Sequence, residues 1–327
     1  MPGGSMAWLR DRRFRGPLRP QVRDIDALNR MFADAFTDRY RRDGLGGVRV
    51  PQLNPAIWRY ALEDAEDGAM VWRDESGTLC GFNIAHLSGQ EGWMGPLAVR
   101  TDCQGQGLGK EMLGVAIDWL KRRGARTIGL ETMPRTIENI GFYSRLGFVP
   151  RPLTVTLTRD LLRRPMASPE RLEAAAPGGE NRLSECRALT GRLAPGVDFT
   201  RELRLTGSLG LGDAVLERDV AGELAGFALY HTASLAVGRA ADEVRVLKLV
   251  ATGVDVLERL MASAEAAALA ADLRRLSARA QSAFEAGYLS LIQRGYRANW
   301  TDLRMTLAGF GEAPVATGAV IWSNWEI

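Results

Sequence analysis

The sequence is poor in the residues that most metalloenzymes and triad hydrolases depend on. It contains only two histidines, His86 and His231, and three widely spaced cysteines, Cys80, Cys103 and Cys186, without a CxxC pair. Two histidines offer few candidates for a histidine-based metal site or a Ser-His-Asp triad, and we expect no metal. The odd number and wide spacing of the cysteines predict free thiols rather than a disulfide framework, which favours a cytoplasmic location.

Long apolar runs and a strong excess of one charge are also missing. No apolar stretch approaches the length of a membrane span, and the first residues lack the apolar core of a secretory signal. Lys and Arg number 42 against 39 Asp and Glu, a net charge of +3 that does not indicate a general grip on nucleic acid. We therefore expect neither a membrane nor a nucleic acid as partner. The length of 327 residues suggests two domains, at a prior of roughly 150 residues per domain.

An internal repeat supports this division. Residues 69–86 and 214–231 share the pattern R-D-x-x-G-x-L-x-G-F-x-x-x-H at a constant offset. The pattern predicts a β-hairpin, with two apolar strands around a polar turn that ends in Gly77 or Gly222. A second echo joins residues 145–161 to 293–309, where a glycine and an aromatic residue follow a helical stretch in both halves. Two echoes in the same order indicate a duplication.

We accordingly predict a mixed α/β (α+β) fold of two tandem domains, residues 1–162 and 163–327. Each would have a central mixed, largely antiparallel sheet flanked by helices. Arg163, Arg164 and Pro165 break the strand pattern and suggest a linker near 160–170, followed by a helical start at PERLEAAA. Between residues 171 and 212, Gly and Pro predict short helices and loops. In the first half, Asp24 precedes an amphipathic helix, and a second such helix follows residue 107.

The chemistry is concentrated in a glycine-rich turn between a strand and a helix, residues 99–110. Glycines let backbone amides approach an anion, and the following helix N-terminus adds unpaired donors, so a phosphate or pyrophosphate is the natural ligand. The turn fails the Walker A pattern at Gln104 and Glu111. It matches a dinucleotide fingerprint at Gly105 and Gly107 but has Lys110 in place of the third glycine. It matches Q/R-x-x-G-x-G/A in full.

With this loop, the sequence resembles the GCN5-related N-acetyltransferase (GNAT) superfamily. The segment Gly95-Pro-Leu-Ala-Val99 occupies the place of the bulged strand that precedes the loop in that superfamily. Residues 139–148, NIGFYSRLGF, match the FY-x-x-x-GF signature that ends a later helix. The resemblance covers roughly residues 90–150. It implies a site for acetyl-CoA, or another acyl-CoA, as cosubstrate.

The resemblance also implies roles for individual residues. The backbone of Leu97 and Val99, with Ala98 between them, would pair with the pantetheine amides and help to polarise the thioester carbonyl. Asn139 and Phe142 would flank the pantetheine arm. The residues expected to hold the pyrophosphate are Gln104, Gly105, Gln106, Gly107, Leu108, Gly109 and Lys110, with Arg100 as a further source of charge. Tyr143 would be the general acid that protonates the departing CoA thiolate.

The general base is left open between two carboxylates. Glu91 lies on the appropriate face of the strand before the loop but near its far end, and Glu131 follows the next strand. Either would act directly or through a water, and either could instead be a solvated surface acid. His86 recurs in both halves, which favours a structural role. Cys103 has no histidine near it in sequence, which disfavours a thiol nucleophile. Trp58, Trp72 and Trp93 are candidates for an acceptor pocket.

The second half is expected to have lost the cofactor site. After its equivalent strand only Gly253 remains, while Asp255 and Glu258 bring negative charge toward the expected helix start. Alignment of the second echo places Leu291 at the position of Tyr143. It also places Gly287 at the position of Asn139.

The sequence thus predicts an enzyme that transfers an acetyl or other short acyl group from CoA to an amine of a small molecule or peptide. A homodimer is left open. A non-catalytic acyl-CoA sensor or scaffold is the first alternative to catalysis. A dinucleotide-dependent oxidoreductase is the second, because Glu131 also stands where a ribose-binding acid would.

Overall fold

The computed structural model describes residues 14–162 and 167–325. The first half begins with an edge strand and two helices, continues through an antiparallel meander, and ends in alternating helices and strands. Its elements are β1 (Arg15–Leu18), α1 (Ile25–Arg42), α2 (Pro55–Ala65), β2 (Ala69–Arg73), β3 (Leu79–Ser88), β4 (Glu91–Val99), α3 (Leu108–Arg122), β5 (Thr127–Thr132), α4 (Ile137–Arg145) and β6 (Phe148–Asp160).

The second half repeats this order and then adds one strand. Its elements are β7 (Glu170–Arg171), α5 (Gly179–Leu193), α6 (Thr200–Ser208), β8 (Gly212–Arg218), β9 (Leu224–His231), β10 (Glu243–Ala251), α7 (Val254–Ala270), β11 (Arg275–Gln281), α8 (Glu285–Gln293), β12 (Arg297–Leu307) and β13 (Val320–Ser323). The expected mixed α/β fold is confirmed. The linker residues Arg163, Arg164 and Pro165 lie outside the described residues, so the boundary between 162 and 163 stays a prediction.

The predicted helical start at PERLEAAA is wrong. Glu170 and Arg171 form an edge strand that pairs antiparallel with β8, and the helix begins only at Gly179. Ion pairs with β8 favour the strand, because Arg171 lies 2.8 Å from Asp213 and Arg218 lies 3.0 Å from Glu170. Helix propensity is a weak preference that such tertiary contacts override.

The repeated hairpin forms the same turn in both halves. Gly77 and Gly222 both have φ of +84°, a left-handed conformation that glycine adopts without strain. In each turn the aspartate of the shared pattern accepts a backbone amide four residues on, at 2.9 Å for Asp74 and 3.0 Å for Asp219. The preceding arginine donates to the glycine carbonyl in both turns. The shared pattern is therefore explained by turn geometry, which needs no ligand.

The two halves exchange their last long strands. Within the described residues, thirteen strands form one sheet, in which β12 of the second half lies between β5 and β6 of the first. Strand β6 in turn pairs antiparallel with β11, from Thr154 opposite Gln281 to Asp160 opposite Arg275. Each half thus completes the sheet of the other, a feature that the sequence did not predict.

Helices cover both faces of the first half's sheet. Leu28 of α1 and Trp58 of α2 are fully buried against Phe82 on one face. On the other face, α3 buries Leu108, Leu113, Ala116 and Leu120. The amphipathic patterns of α1 and α3 therefore set these two layers, and the candidate site lies where α3, α4 and the exchanged strand meet.

Candidate active site

Strands β4 and β5 separate in the middle of the first half's sheet. They pair in parallel only from Glu91 to Met94, opposite Thr127 to Leu130. Just beyond, Gly95 and Pro96 of β4 oppose the single residue Ile84 of β3, which is a β-bulge at the expected place. From there to Val99, β4 pairs with β3 but not with β5. Backbone groups facing β5 are thus open to another hydrogen-bonding chain, such as the amides of a pantetheine arm.

The glycine turn lies at the open end of this gap. Gly105 and Gly107 have φ of +73° and +85°, and no atom of the described chain lies within 4 Å of where a Cβ would stand on either. Helix α3 begins directly after Gly107, which has no side chain to cap the backbone amides of the first turn. The Gln104 side chain donates to the Val99 carbonyl at 2.9 Å, and that of Gln106 to the Asp102 carbonyl at 2.9 Å. The cradle is therefore held in shape by its own glutamines.

Two arginines near the turn differ from expectation. Arg100, considered as a phosphate contact, is bound to Asp102 at 2.6 Å and to Asp74 at 3.1 Å, and these carboxylates raise its pKa further. It braces the turn rather than facing an anion. Arg42, at the end of α1, is exposed and lies 3.5 Å from the Gln104 side chain. No sequence motif points to Arg42, because α1 and the turn are far apart in the chain. Lys110 is exposed in the first turn of α3.

Helix α4 closes the other side of the gap. A Cβ on Gly109 would lie 3.8 Å from the Phe142 ring and 3.8 Å from a methyl of Val99. The structure therefore brings together three predicted residues, from β4, α3 and α4. Asn139 lies one turn before Phe142 on α4 and is half-buried. Leu97 and Val99 are half-buried and pack on the same apolar cluster as Phe142 and Tyr143.

Tyr143 is half-buried beside Phe142 and Phe148, with ring centroids 5.3 and 6.2 Å away. Burial raises the pKa of Tyr143 to about 12, so its hydroxyl stays protonated throughout the neutral range. Within the described part of the chain the hydroxyl makes no hydrogen bond, so no structural bond accounts for it. The hydroxyl is therefore free to donate to a group that enters the gap.

Glu131 is held by two arginines and is not a solvated surface acid. Arg279 approaches it at 2.5 Å and Arg304 at 2.8 Å, and the Thr154 hydroxyl donates at 2.5 Å. Burial alone would raise the pKa of Glu131, but the two guanidinium groups and the threonine outweigh burial and lower it. A carboxylate stabilised in this way is a poor proton acceptor.

Glu91 is also buried, and its carboxylate is hydrogen-bonded to the side chain of Ser323. Its carboxylate accepts the Ser323 hydroxyl at 2.6 Å, and the Ser323 oxygen lies 3.4 Å from the buried ammonium of Lys248. Nearby, His86 is bound to Asp64 at 2.7 Å and stacked on Trp325, which is the structural role expected for it. The cysteines are buried, and burial raises the pKa of both Cys80 and Cys186 to about 12.

A cleft of about 460 Å³ adjoins the bulge and extends across the sheet beneath α1. Both halves line it: Gly95, Pro96 and the aromatic residues of α1 come from the first half, and β12 and the segment after β13 from the second. Of the three tryptophans considered for an acceptor pocket, Trp93 lines this cleft, with Arg304 stacked 3.9 Å from its ring. Trp58 and Trp72 are fully buried in the core. This cleft is the candidate acceptor site.

The corresponding gap of the second half is filled. Strands β10 and β11 also pair in parallel for four residues and then separate after Val246. Strand β13 enters that gap and pairs antiparallel with β10 from Lys248 to Ala251. Its Trp322 is completely buried. A chain of this protein thus occupies the place that stays open in the first half.

The second half also lacks the cradle. Only Thr252 and Gly253 separate β10 from α7, and Gly253 has an extended φ of −166°. Asp255 in the first turn of α7 pairs with Arg259, while Glu258 accepts the Ser290 hydroxyl of α8 at 2.6 Å. Glu258 is therefore engaged with α8 rather than presented at the helix start. Leu291, aligned with Tyr143, is fully buried.

Comparison with known proteins agrees with this geometry. Residues 27–148 match the model of the Acetyltransferase (GNAT) family. This part of the chain, which is less than half of its length, is therefore similar to the GNAT family. The match runs from α1 to the start of β6 and includes the whole gap and its glycine turn.

Individual relatives are more distant. The chain is 35% identical over 74 residues to the [ribosomal protein bS18]-alanine N-acetyltransferase of Escherichia coli (strain K12), which is 23% of this chain and 50% of that protein. The chain thus spans about half the length of this curated relative.

Two solved structures share the fold of both halves. A structure from Pyrococcus horikoshii has a TM-score of 0.63 at 16% identity, with 97% of this chain and 99% of that chain covered. A tandem GNAT protein from the clavulanic acid biosynthesis pathway has a TM-score of 0.52 at 13% identity, with 90% and 97% covered. The tandem arrangement is therefore an established fold.

Among the described residues, no helix is long and apolar enough to cross a bilayer. No group of three His, Cys, Asp or Glu side chains in the same part of the chain is placed to hold a metal ion.

Proposed function

We propose that this protein transfers an acetyl or other short acyl group from acyl-CoA to an amine, with one working cofactor site per chain. The gap between β4 and β5 carries the proposal, because its open backbone edge, glycine cradle and Tyr143 surround one space. An acyl-CoA fits these three features in order, with pantetheine along β4, pyrophosphate on the α3 N-terminus and sulfur toward Tyr143.

Direct attack of the amine on the thioester is the mechanism that we propose. Backbone amides of the β4 bulge would stabilise negative charge on the carbonyl oxygen as the amine nitrogen bonds to its carbon. The carbon–sulfur bond then breaks, and the sulfur takes the proton of Tyr143. Leu97, Ala98, Val99, Asn139 and Phe142 would hold the pantetheine arm, and residues 104–110 the pyrophosphate.

The structure disfavours the dinucleotide alternative. The glycine turn follows the fourth strand of a largely antiparallel sheet, whereas a dinucleotide fold places it after the first strand of a parallel one. Glu131, the candidate ribose-binding acid, is engaged with Arg279 and Arg304 in the acceptor cleft. The filled gap and missing cradle of the second half further support a single acyl-CoA site.

The acceptor is an amine of a small molecule or a peptide. The cleft is open, and the relative from Escherichia coli bears the name of an alanine N-acetyltransferase of a ribosomal protein. A panel of alanine-terminated peptides, arylalkylamines and amino sugars, assayed with acetyl-CoA for thiol release, tests the proposal. Thiol release that requires an amine is expected. Acetyl-CoA binding without release for any amine would favour a sensor.

A further inference from the structure

The exchanged strand β12 presents a regular stripe of side chains to the acceptor cleft. Every second residue of the strand lines the cleft, namely Trp300, Asp302 and Arg304. Leu303 and Met305, at alternate positions, pack on the apolar cluster under α3. A residue of the second half thus reaches the site of the first. No sequence motif marks this stripe, because it reaches the cleft only through the strand exchange.

Asp302 lies at the open end of the gap. Its neighbour Leu303 is opposite Thr132 of β5, two residues beyond Leu130, where β4 and β5 last pair. The bulge residues Gly95 and Pro96 line the same cleft as Asp302. A thioester carbonyl held by the bulge would therefore face the space that Asp302 borders.

We propose that the Asp302 carboxylate binds the acceptor as an ammonium ion and removes its proton, so that the second half completes the catalytic site of the first. This inference rests on the proposed acyl transfer. The acceptor is then an amine that is protonated at neutral pH, such as a peptide N-terminus or a primary aliphatic amine. Its apolar atoms would lie beside the aromatic residues of α1.

The surroundings of Asp302 suit this task better than those of Glu131. Asp302 accepts Arg279 at 2.9 Å and the Trp300 indole N–H at 3.2 Å, and its side chain is 16% exposed. Arg279 is shared with Glu131, which also has Arg304 as a second cation. Glu131 therefore carries most of the ionic stabilisation, and Asp302 is the more basic member of the pair.

The charged and titratable groups around Asp302 explain its basicity. Burial comes first and raises the pKa of Asp302 to about 6; Arg279 on β11 opposes that rise, and Glu131 on β5 adds to it. Tyr40 of α1 lines the same cleft, and burial together with the Asp302 charge raises the Tyr40 pKa. A proton acceptor with a pKa close to the working pH is the efficient choice for general base catalysis.

The protons balance across the reaction. Asp302 takes one proton from the incoming ammonium, and the neutral amine nitrogen bonds to the thioester carbon. The sulfur leaves with the bonding electrons and takes the proton of Tyr143. The amide nitrogen loses its second proton, which restores Tyr143 through solvent, and Asp302 returns its own proton to solvent. The products are the amide and free CoA.

The test compares Asp302→Asn with Asp302→Glu and with Asp160→Asn, a matched change at an 82% exposed carboxylate on the neighbouring strand β6. With acetyl-CoA and an accepted amine, kcat/KM of Asp302→Asn should fall by about 10²–10⁴-fold. The acid limb of the wild-type pH profile near pH 6 should disappear, and Asp302→Glu should restore part of both. Acetyl-CoA affinity should not change in any of these variants.

A binding measurement decides the inference even without turnover. Calorimetry on CoA-saturated protein uses two probes, a tripeptide amide with an N-terminal alanine, and tyramine. Both probes should bind at least tenfold more weakly to Asp302→Asn than to wild type. Unchanged affinity, or a wild-type pH profile in Asp302→Asn, overturns the role of Asp302 and leaves acyl transfer intact. Absence of wild-type binding to both probes overturns it as well. Loss of turnover for every amine in the wild type would instead remove the proposed function.

Discussion

The substitution Gly107→Asp probes the anion cradle most directly. Gly107 precedes the first turn of α3 at φ +85°, and among the described residues, its chain neighbours aside, no atom lies within 4 Å of the position that a Cβ would take. The side chain of an aspartate there has open space around it, and the left-handed φ is its steric cost. It places a negative charge beside the amides that are expected to hold the pyrophosphate. The neutral counterpart Gly107→Asn has nearly the same shape, so the difference between the two variants isolates the charge.

The expected magnitude follows from two separate costs. A left-handed φ costs an L-residue about 1–2 kcal/mol, less for Asn and Asp, and both variants carry this cost. Repulsion between unit charges roughly 5 Å apart is about 1 kcal/mol at a dielectric of 80 and about 3 kcal/mol at 20. Gly107→Asp should therefore bind acetyl-CoA roughly 5- to 150-fold more weakly than Gly107→Asn, since about 1.4 kcal/mol is tenfold.

Isothermal calorimetry at two ionic strengths measures this difference in affinity. Added salt screens the repulsion, so the difference in acetyl-CoA affinity between the two variants should become smaller. Gly77→Asp is the control, since it places the same residue at a φ of +84° in a distant turn that is equally open. It should bind acetyl-CoA like wild type. Equal acetyl-CoA affinities for Gly107→Asp and Gly107→Asn would refute the assignment of this turn to the pyrophosphate.

Three further predictions concern Tyr143, the second half and a buried acid. Tyr143→Phe should lower kcat roughly 10²-fold with acetyl-CoA affinity nearly intact; a wild-type kcat with chemistry rate-limiting would reduce Tyr143 to a packing residue. Titration should give one acetyl-CoA per chain, and Gly107→Asp should weaken all of this binding, because β13 fills the other gap; two sites, or a component of binding that keeps wild-type affinity in the variant, would contradict this. Glu202 is buried and accepts the Ser88 hydroxyl, and burial, aided by Asp64, raises its pKa from an ordinary 4.5 to about 7. The folded state therefore keeps a proton that the unfolded chain has lost, and this stabilisation is complete below pH 4.5 and disappears as the pH rises through about 7. The Tm of Glu202→Gln minus the Tm of wild type should accordingly increase between pH 5 and pH 8. A constant Tm difference across that range would contradict the raised pKa of Glu202.

The sequence predicted the features that are encoded locally. The R-D-x-x-G hairpins, the glycine turn and the α4 signature each depend on residues close together in the chain, so their patterns survive in the sequence. The exchange of β6 and β12 depends on pairing between distant residues, as between Gly129 and Thr306, and such pairing leaves no local periodicity. The contribution of the second half to the candidate acceptor cleft was missed for the same reason.

The residues of the candidate site also fall into two groups, those marked by local motifs and those placed by long-range strand pairing. Gly109, Phe142 and Val99 could be placed from motifs, and the structure brings them together. Asp302 and Arg279 could not, since neither stands in a recognisable motif and both reach the cleft through strands of the second half. The basicity of Glu131 was also beyond sequence analysis, because it depends on arginines far away in the chain.

The strand exchange has a consequence for how this chain is made. On the side away from β4, residues 129–132 of β5 pair with residues 303–306, which lie far along the sequence. The first half therefore leaves the ribosome with an unpaired sheet edge, which is a template for aggregation until the last strands arrive. Pairings of such long range are slow to form. A gene truncated between the halves should yield an insoluble product rather than a smaller working enzyme, although every residue of the cofactor cradle would be present.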